Sequence, residues 1–214
     1  MGPKDRRSRE KDELRGKILD AARELFIAEG YERVTMRKIA EAIEYSPTAI
    51  YLHFPDKMAV MRALCDRDFL TLAKQFQKIA KVEDPIERLR QVGKAYTAFA
   101  LSHPNHYQLM FMTPIRGVAK AADSGLERGN PEVDAYAFLK WIVGDAIRSG
   151  RLRPEYKDVD ELAQMSWAGV HGVVSLYIAK CEDDWVEWRP AKKTAAALVD
   201  AMIRGLLLHP EEGD

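Results

Sequence analysis

The sequence predicts an all-α chain of about nine helices, and three observations carry that reading. From Leu14 onward apolar residues recur at intervals of three and four, the spacing that lines one face of a helix. No stretch alternates in the sustained, β-branched manner of a strand. The interruptions are short segments, "VEDP" (82–85), "SHPN" (102–105), "DSGLERGNP" (123–131), "SGRLRP" (149–154) and "WRP" (188–190), whose Pro, Gly and polar residues read as connectors. No internal repeat is visible, and residues 113–130 form a candidate flexible loop.

Residues 1–12 are charged and include Gly2 and Pro3; with nothing to bury, they are expected as a flexible basic arm grading into the first helix. Ile18, Ala21, Ala22, Leu25 and Phe26 then share one helical face, ended by Gly30. Thr35 is a good N-cap for a second helix, Met36 to Ile43, with Met36, Ile39, Ala40 and Ile43 inward. Ser46 caps a third helix with Pro47 at its first position, where a missing N–H is tolerated. Pro55 and Asp56 restart the chain into a fourth, running to about Ile79. The expected division is an N-terminal part, 1–56, and a larger helical part, 57–214.

Composition excludes more than it proposes. With 47% hydrophobic residues and 33 Lys and Arg against 33 Asp and Glu, the chain has an ordinary globular composition and a net charge that names no partner. Cys65 and Cys181 lie far apart in apolar helical patterns, so reduced, buried thiols are expected and not a disulfide or metal framework. No signal-type apolar core opens the chain and no run reaches the roughly 18–20 apolar residues of a membrane span. A cytoplasmic protein with no membrane partner is the expectation.

The stretch "TMRKIAEAIEYSPTAIYLHFPDK" (35–57) joins two short helical patterns through a very short connector, which is a helix-turn-helix spacing able to present its second helix to a DNA major groove. Ile39, Ile43 and Ile50 would pin the pair onto the first helix. Tyr45, Ser46, Thr48, Ala49, Tyr51 and His53 are then left less buried. Hydroxyls and imidazoles donate to phosphates or base edges, and Ala49 suits a thymine methyl. Lys57 would add a phosphate contact at a helix start. On spacing alone, an αα-hairpin with a polar outer face fits equally well.

The run "ILDAARELFIAEGYERVTMRKIAEAIEYSPTAIYLHFPDK" resembles the N-terminal domain of TetR-type transcriptional regulators. It carries their Ile-x-x-Ala-Ala-x-x-Leu-Phe helix, Gly-Tyr turn, Thr-capped helix and Ser-x-x-x-Ile-Tyr-x-His-Phe recognition helix followed by Lys. The resemblance implies that Thr35, Tyr51 and Lys57 bind phosphates, with Ser46, Thr48, Ala49 and His53 at or beside the groove. It also departs from the pattern: Glu44 stands where the family usually has a turn Gly. A non-Gly residue at positive φ costs about 1 kcal/mol, and a carboxylate there would weaken DNA affinity. Lys4, Arg6, Arg7 and Arg9 could compensate at phosphates or the minor groove, although interleaved Asp5, Glu10, Asp12 and Glu13 argue against a strong effect.

Aromatic and Met residues concentrate in the larger part. Tyr96 and Phe99, then Tyr107, Met110 and Phe111 in "HYQLMFM" (106–112), Phe138 and Trp141, and Trp167 with His171 are either core or the lining of an adaptable cavity for a small molecule. Trp167, His171 and Gly172 form a Trp-x-x-x-His-Gly pattern which, with "HPNHYQLMF" (103–111), resembles a TetR subgroup having a Trp-His-Gly signature. Gly169 and Gly172 inside a helix point to close helix approach. The family resemblance implies a homodimer paired through its last two helices, here about 158–181 and 190–208, with Gly172, Leu176, Ala195, Leu198, Met202 and Leu206 in the seam. Packing within one subunit is the alternative for those residues.

Together these readings lead to a ligand-responsive regulator, most simply a repressor, that binds a palindromic double-stranded DNA operator as a homodimer and is released by a small apolar or aromatic effector. No cofactor is expected. An enzyme has no positive support: no Gly-rich phosphate loop, nucleophile elbow or His-Glu-x-x-His occurs, and the His103–His106 pair has no convincing third ligand. A helical scaffold that binds protein and ignores DNA is the third class.

Overall fold

The computed structural model describes residues 3–113 and 127–209, and the loop expected at 113–130 lies outside the described residues apart from its two ends. Nine α-helices occur among them: α1 (Pro3–Glu29), α2 (Met36–Ala42), α3 (Pro47–Tyr51), α4 (Lys57–Gln77), α5 (Pro85–Ser102), α6 (Pro104–Tyr107), α7 (Ala135–Arg148), α8 (Val159–Lys180) and α9 (Ala191–Leu206). A 3₁₀ turn, Tyr31–Arg33, follows α1, and a π turn, Gln108–Met112, follows α6. Among the described residues there is no strand; one isolated bridge joins Leu152 to Leu207. No helix there is long and apolar enough to cross a membrane.

The described residues divide into two compact units, one of residues 3–68 and 108–113, the other of residues 69–107 and 127–209. The packing boundary thus falls inside α4, beyond the division at residue 56 expected from the connector.

In the first unit, α1 is helical from Pro3 onward, which corrects the flexible arm. Lys, Arg and Glu are good helix formers, and Arg6 pairs with Glu10 one turn away at 3.3 Å, so the charged segment continues the amphipathic helix behind it. Gly30 ends α1 at φ 82°, its N–H donating to the Phe26 carbonyl. Thr35 Oγ1 accepts from the Lys38 N–H and Ser46 Oγ from the Ala49 N–H, both at 3.2 Å, so both expected N-caps form. Ile18, Ala22, Phe26, Ile39, Ile50 and Met61 share one core, and each buried Ile contributes about 1.5–3 kcal/mol. Leu109 of the π turn joins that core. A bidentate ion pair ties α1 to α4: Arg23 donates to Asp68 at 2.6 and 2.8 Å, with side chains 8% and 2% exposed. Arg67 and Asp20 pair beside it at 2.7 Å.

In the second unit, α5 packs against α7, α8 and α9, and α8 packs against both α7 and α9. Asp84, Asp134 and Asp158 cap α5, α7 and α8, each carboxylate accepting two backbone N–H bonds from the first turn of its helix. Two glycines let the helices close up: a Cβ at Gly93 would lie 2.7 Å from Val199, and one at Gly169 would lie 2.7 Å from Met202. Among the described residues Gly172 faces open space, so of the two α8 glycines expected at a close approach only Gly169 makes one there. The cysteines are free thiols. Cys65 is half-buried and its thiol is pushed up to about 12 by burial. Cys181, expected buried, is exposed because it stands just past the last turn of α8.

Candidate nucleic-acid interface and sensor cluster

Residues Ile43 to Ser46 connect α2 to α3. Glu44 holds φ 59°, the left-handed conformation that favours glycine. The turn is closed by the Glu44 N–H donating to Glu41 O at 3.2 Å and the Tyr45 N–H donating to Ala40 O at 3.0 Å. Ile50 is buried beneath α3 while Tyr45, Ser46, Thr48 and Tyr51 are exposed and Ala49 and His53 half-buried. Tyr51 is 53% exposed and Leu52 79%. Thr35 and Ser46 use their oxygens as caps, which leaves each hydroxyl hydrogen able to donate to a phosphate.

Leu52 is a candidate that residue chemistry did not single out. It is a large apolar side chain at the end of α3, fully off the spacing of Ile39, Ile43 and Ile50, and suits apolar contact with a thymine methyl. Lys57, expected at a phosphate, also has partners within the chain. Its Nζ donates to the carbonyls of Tyr31 at 2.7 Å and Glu32 at 3.3 Å and lies 4.2 Å over the Tyr31 ring. The ammonium thereby fastens the start of α4 to the turn after α1. His53 is kept neutral, its pKa lowered chiefly by burial and then by Lys11 and Arg15. Its Nδ1 is buried without a hydrogen-bond partner among the described residues.

The second unit brings four of the aromatic candidates into one hydrogen-bonded cluster. Trp167 Nε1 donates to Tyr96 Oη at 3.0 Å, and Tyr96 Oη donates to Tyr107 Oη at 3.2 Å. His171 Nδ1 lies 3.1 Å from Tyr96 Oη and 2.5 Å from Tyr107 Oη. Burial raises both phenols, Tyr96 to about 12, and lowers His171. The phenols thus hold their protons and the imidazole is neutral. Tyr136 adds an aromatic contact to Trp167 at 5.9 Å.

The other candidates are placed differently. Phe99 and Phe138 are fully buried, with Phe138 against Phe76 and Trp141. Trp141 lies outside under the Arg88 guanidinium at 4.9 Å. Met110 and Phe111 belong to the π turn of the first unit. In the expected dimer seam, Ala195 is 1% exposed and Leu206 is also buried. Both serve the chain's own core, because α9 turns Ala191, Ala195, Val199, Ile203 and Leu206 inward. Leu176 is 57% exposed, and Leu198 and Met202 are half-buried. Among the described residues no group of three or more His, Cys, Asp and Glu could hold a metal ion.

Comparison with known proteins fits both units. The pattern of "Bacterial regulatory proteins, tetR family" matches residues 18–64, and that of "Tetracyclin repressor-like, C-terminal domain" matches residues 89–206. The HTH-type transcriptional activator FasR of Mycolicibacterium smegmatis is 31% identical over 191 residues, 76% of this chain and 85% of that protein. The HTH-type transcriptional regulator UidR of Escherichia coli is 32% identical over 154 residues, 71% of this chain and 75% of that protein. The transcriptional regulator FadR of Bacillus subtilis, solved with stearoyl-CoA, shares the fold with a TM-score of 0.71 at 17% identity, over 89% of this chain and 98% of that one. With a capped helix pair in the first unit, a helical bundle in the second and both halves matched, the chain belongs to the TetR family of DNA-binding transcriptional regulators, not to an enzyme family.

Proposed function

We propose that this regulator binds a palindromic operator as a homodimer, acts as a repressor, and is released by a small apolar or aromatic effector. The observation that supports it most is the face of α3: Tyr45, Ser46, Thr48, Tyr51 and Leu52 stand exposed while Ile50 beneath them is buried. That division suits a helix read from outside by DNA. Thr35 and Tyr51 take phosphates, and Ser46, Thr48, Ala49 and His53 lie at or beside the groove. Residues 1–56 read DNA, 57–214 sense and dimerise, and the protein works in the cytoplasm. Selection of bound duplexes from a random library by the purified protein tests the reading; failure to enrich a roughly palindromic site with folded dimer removes it.

Dimerisation uses apolar residues that the chain leaves wholly or partly exposed on α8, on α9 and just after it: Met165, Gly172 and Leu176 with Leu198, Met202 and Leu208. A two-fold pair doubles the groove contacts of one short recognition helix across half-sites roughly 34–36 Å apart.

The effector site centres on Tyr96, Tyr107, Trp167 and His171, a polar cluster inside an aromatic bundle, and the pattern of Trp167, His171 and Gly172 supports a reading of the chain as one of the Trp-His-Gly subgroup. The stearoyl-CoA bound by FadR is an apolar-chain ligand accommodated by this fold. Effector binding shifts α4, and the half-site separation changes with it. An effector that bound free and DNA-bound dimer equally would exclude this mechanism. FasR is named as an activator, so the opposite sign of regulation is the second reading, separated from the first by transcription from the selected operator with and without the protein.

A further inference from the structure

The core-facing stripe of α1 does not stop where the core stops. Ile18, Ala22 and Phe26 mark it at intervals of four. Counted back by the same interval from Leu19, which is also buried, the stripe carries Arg15, Lys11 and Arg7. Residues four apart lie on one face of a helix, so these three cations form a row, whereas at 100° per residue Glu10, Asp12 and Glu13 fall off it. Glu10 is held by Arg6 on the flank. The sequence alternates in sign; the helix separates the signs onto different faces. All three cations are exposed, and Arg7 projects about 16 Å of helix beyond the first buried turn at Ile18.

One contact and one electrostatic effect say where the row leads. The Arg15 guanidinium lies 4.4 Å over the ring of Phe54, just past the end of α3. Lys11 and Arg15 are the charges that act on His53, the half-buried residue beside the exposed groove face. The basic row therefore ends beside the C-terminal end of the recognition helix.

We infer that Arg7, Lys11 and Arg15 are a second DNA-contacting track, which binds the phosphates of the strand flanking the groove that α3 enters. The inference rests on the DNA-reading role of α3 and adds to it an element that contributes affinity and salt dependence without sequence preference. With Lys57 committed to backbone carbonyls, this row supplies the cationic charge that the α3 face itself lacks.

The test is a salt titration of binding to the selected operator, comparing wild type with the Arg7→Gln/Lys11→Gln double variant. Arg15 is left in place because it packs on Phe54. Each lost phosphate contact flattens the plot of log K against log salt by about 0.9. Two contacts per subunit, four per dimer, make the wild-type affinity fall about 150-fold further than the variant's between 50 and 200 mM salt. The selected sequence and the dimer should stay the same. Lys17→Gln removes an exposed cation of α1 that lies off the row and should leave the slope unchanged. Equal slopes for wild type and double variant, or an equal flattening in Lys17→Gln, would overturn the track. A wild type that binds no duplex at all in a salt-dependent way would instead remove the regulator reading on which it stands.

Discussion

Glu44 offers a clean separation of strain from charge. An L-residue in the left-handed region is penalised by about 1–2 kcal/mol, and Glu44 at φ 59° carries that penalty in the turn between α2 and α3. Glycine removes it but makes the unfolded chain more flexible by about 0.4–1 kcal/mol. Glu44 is exposed, so little side-chain packing is lost. The expected net gain for Glu44→Gly is about 0.5–1 kcal/mol. For a chain of this size that is about 1–4 °C in Tm, measurable by circular dichroism or calorimetry. Glu44→Gln keeps the strained backbone and removes the charge, so its Tm should match wild type. In operator binding both variants should gain, about two- to fivefold at low salt, since a carboxylate beside the phosphate backbone opposes binding by up to about 1 kcal/mol. A Glu44→Gly protein no more stable than wild type would refute the strain argument. A Glu44→Gln protein with unchanged affinity would refute the electrostatic one.

Tyr51→Ala should weaken binding about tenfold across all duplex sequences while leaving the dimer intact, as read by anisotropy and sedimentation; affinity unchanged at fixed salt would remove Tyr51 from the phosphate-binding set. Lys57→Met should lower stability by about 1–2 kcal/mol, because the two carbonyls it joins lose a charged donor, and a Tm equal to wild type would show the clamp to be idle. Gly169→Leu should lower Tm strongly by forcing α8 off Met202, whereas Gly172→Leu should leave the subunit fold unchanged and shift the monomer–dimer equilibrium seen in sedimentation. His171 has its pKa lowered in the folded state, so below about pH 6.5 the unfolded chain takes up a proton that the native chain resists. Stability should therefore be full above that pH and decline as pH falls through it, and His171→Gln should flatten the decline in Tm between pH 7.5 and 5.5; parallel profiles would contradict the assignment.

The features legible in the sequence were those fixed by near neighbours. Thr35 and Ser46 cap helices through N–H groups three residues on, and Gly30 announces the end of α1, whereas the left-handed turn at Glu44 was suggested only by the glycine that the TetR pattern has there, with a rebuilt turn as the alternative. Features set by distant partners were not. Lys57 meets carbonyls 25 and 26 residues back in the chain, which no spacing rule encodes. On α9, Ala195 and Leu206 fit both an inward stripe with Val199 and Ile203 and an outward one with Leu198 and Met202, and periodicity cannot say which stripe meets its own chain. Trp167 and His171 were placed on one face by their separation of four, but their bonding to Tyr96 and Tyr107 required three helices to converge. The basic row of α1 was hidden because a linear reading sees Arg7, Lys11 and Arg15 mixed with acids that the helix turns aside.

The Arg23–Asp68 pair decides which part of α4 is adjustable. Removing or separating one partner of a buried ion pair costs about 3–5 kcal/mol, while the coupling available from one small ligand is about 1–3 kcal/mol. On the proposed mechanism an effector lacks the free energy to pull these charges apart, so α1 and the stretch of α4 up to Asp68 should keep one geometry with and without it. The reading head is a solid tool on a handle gripped at Asp68, and any bending of α4 belongs to the residues that follow.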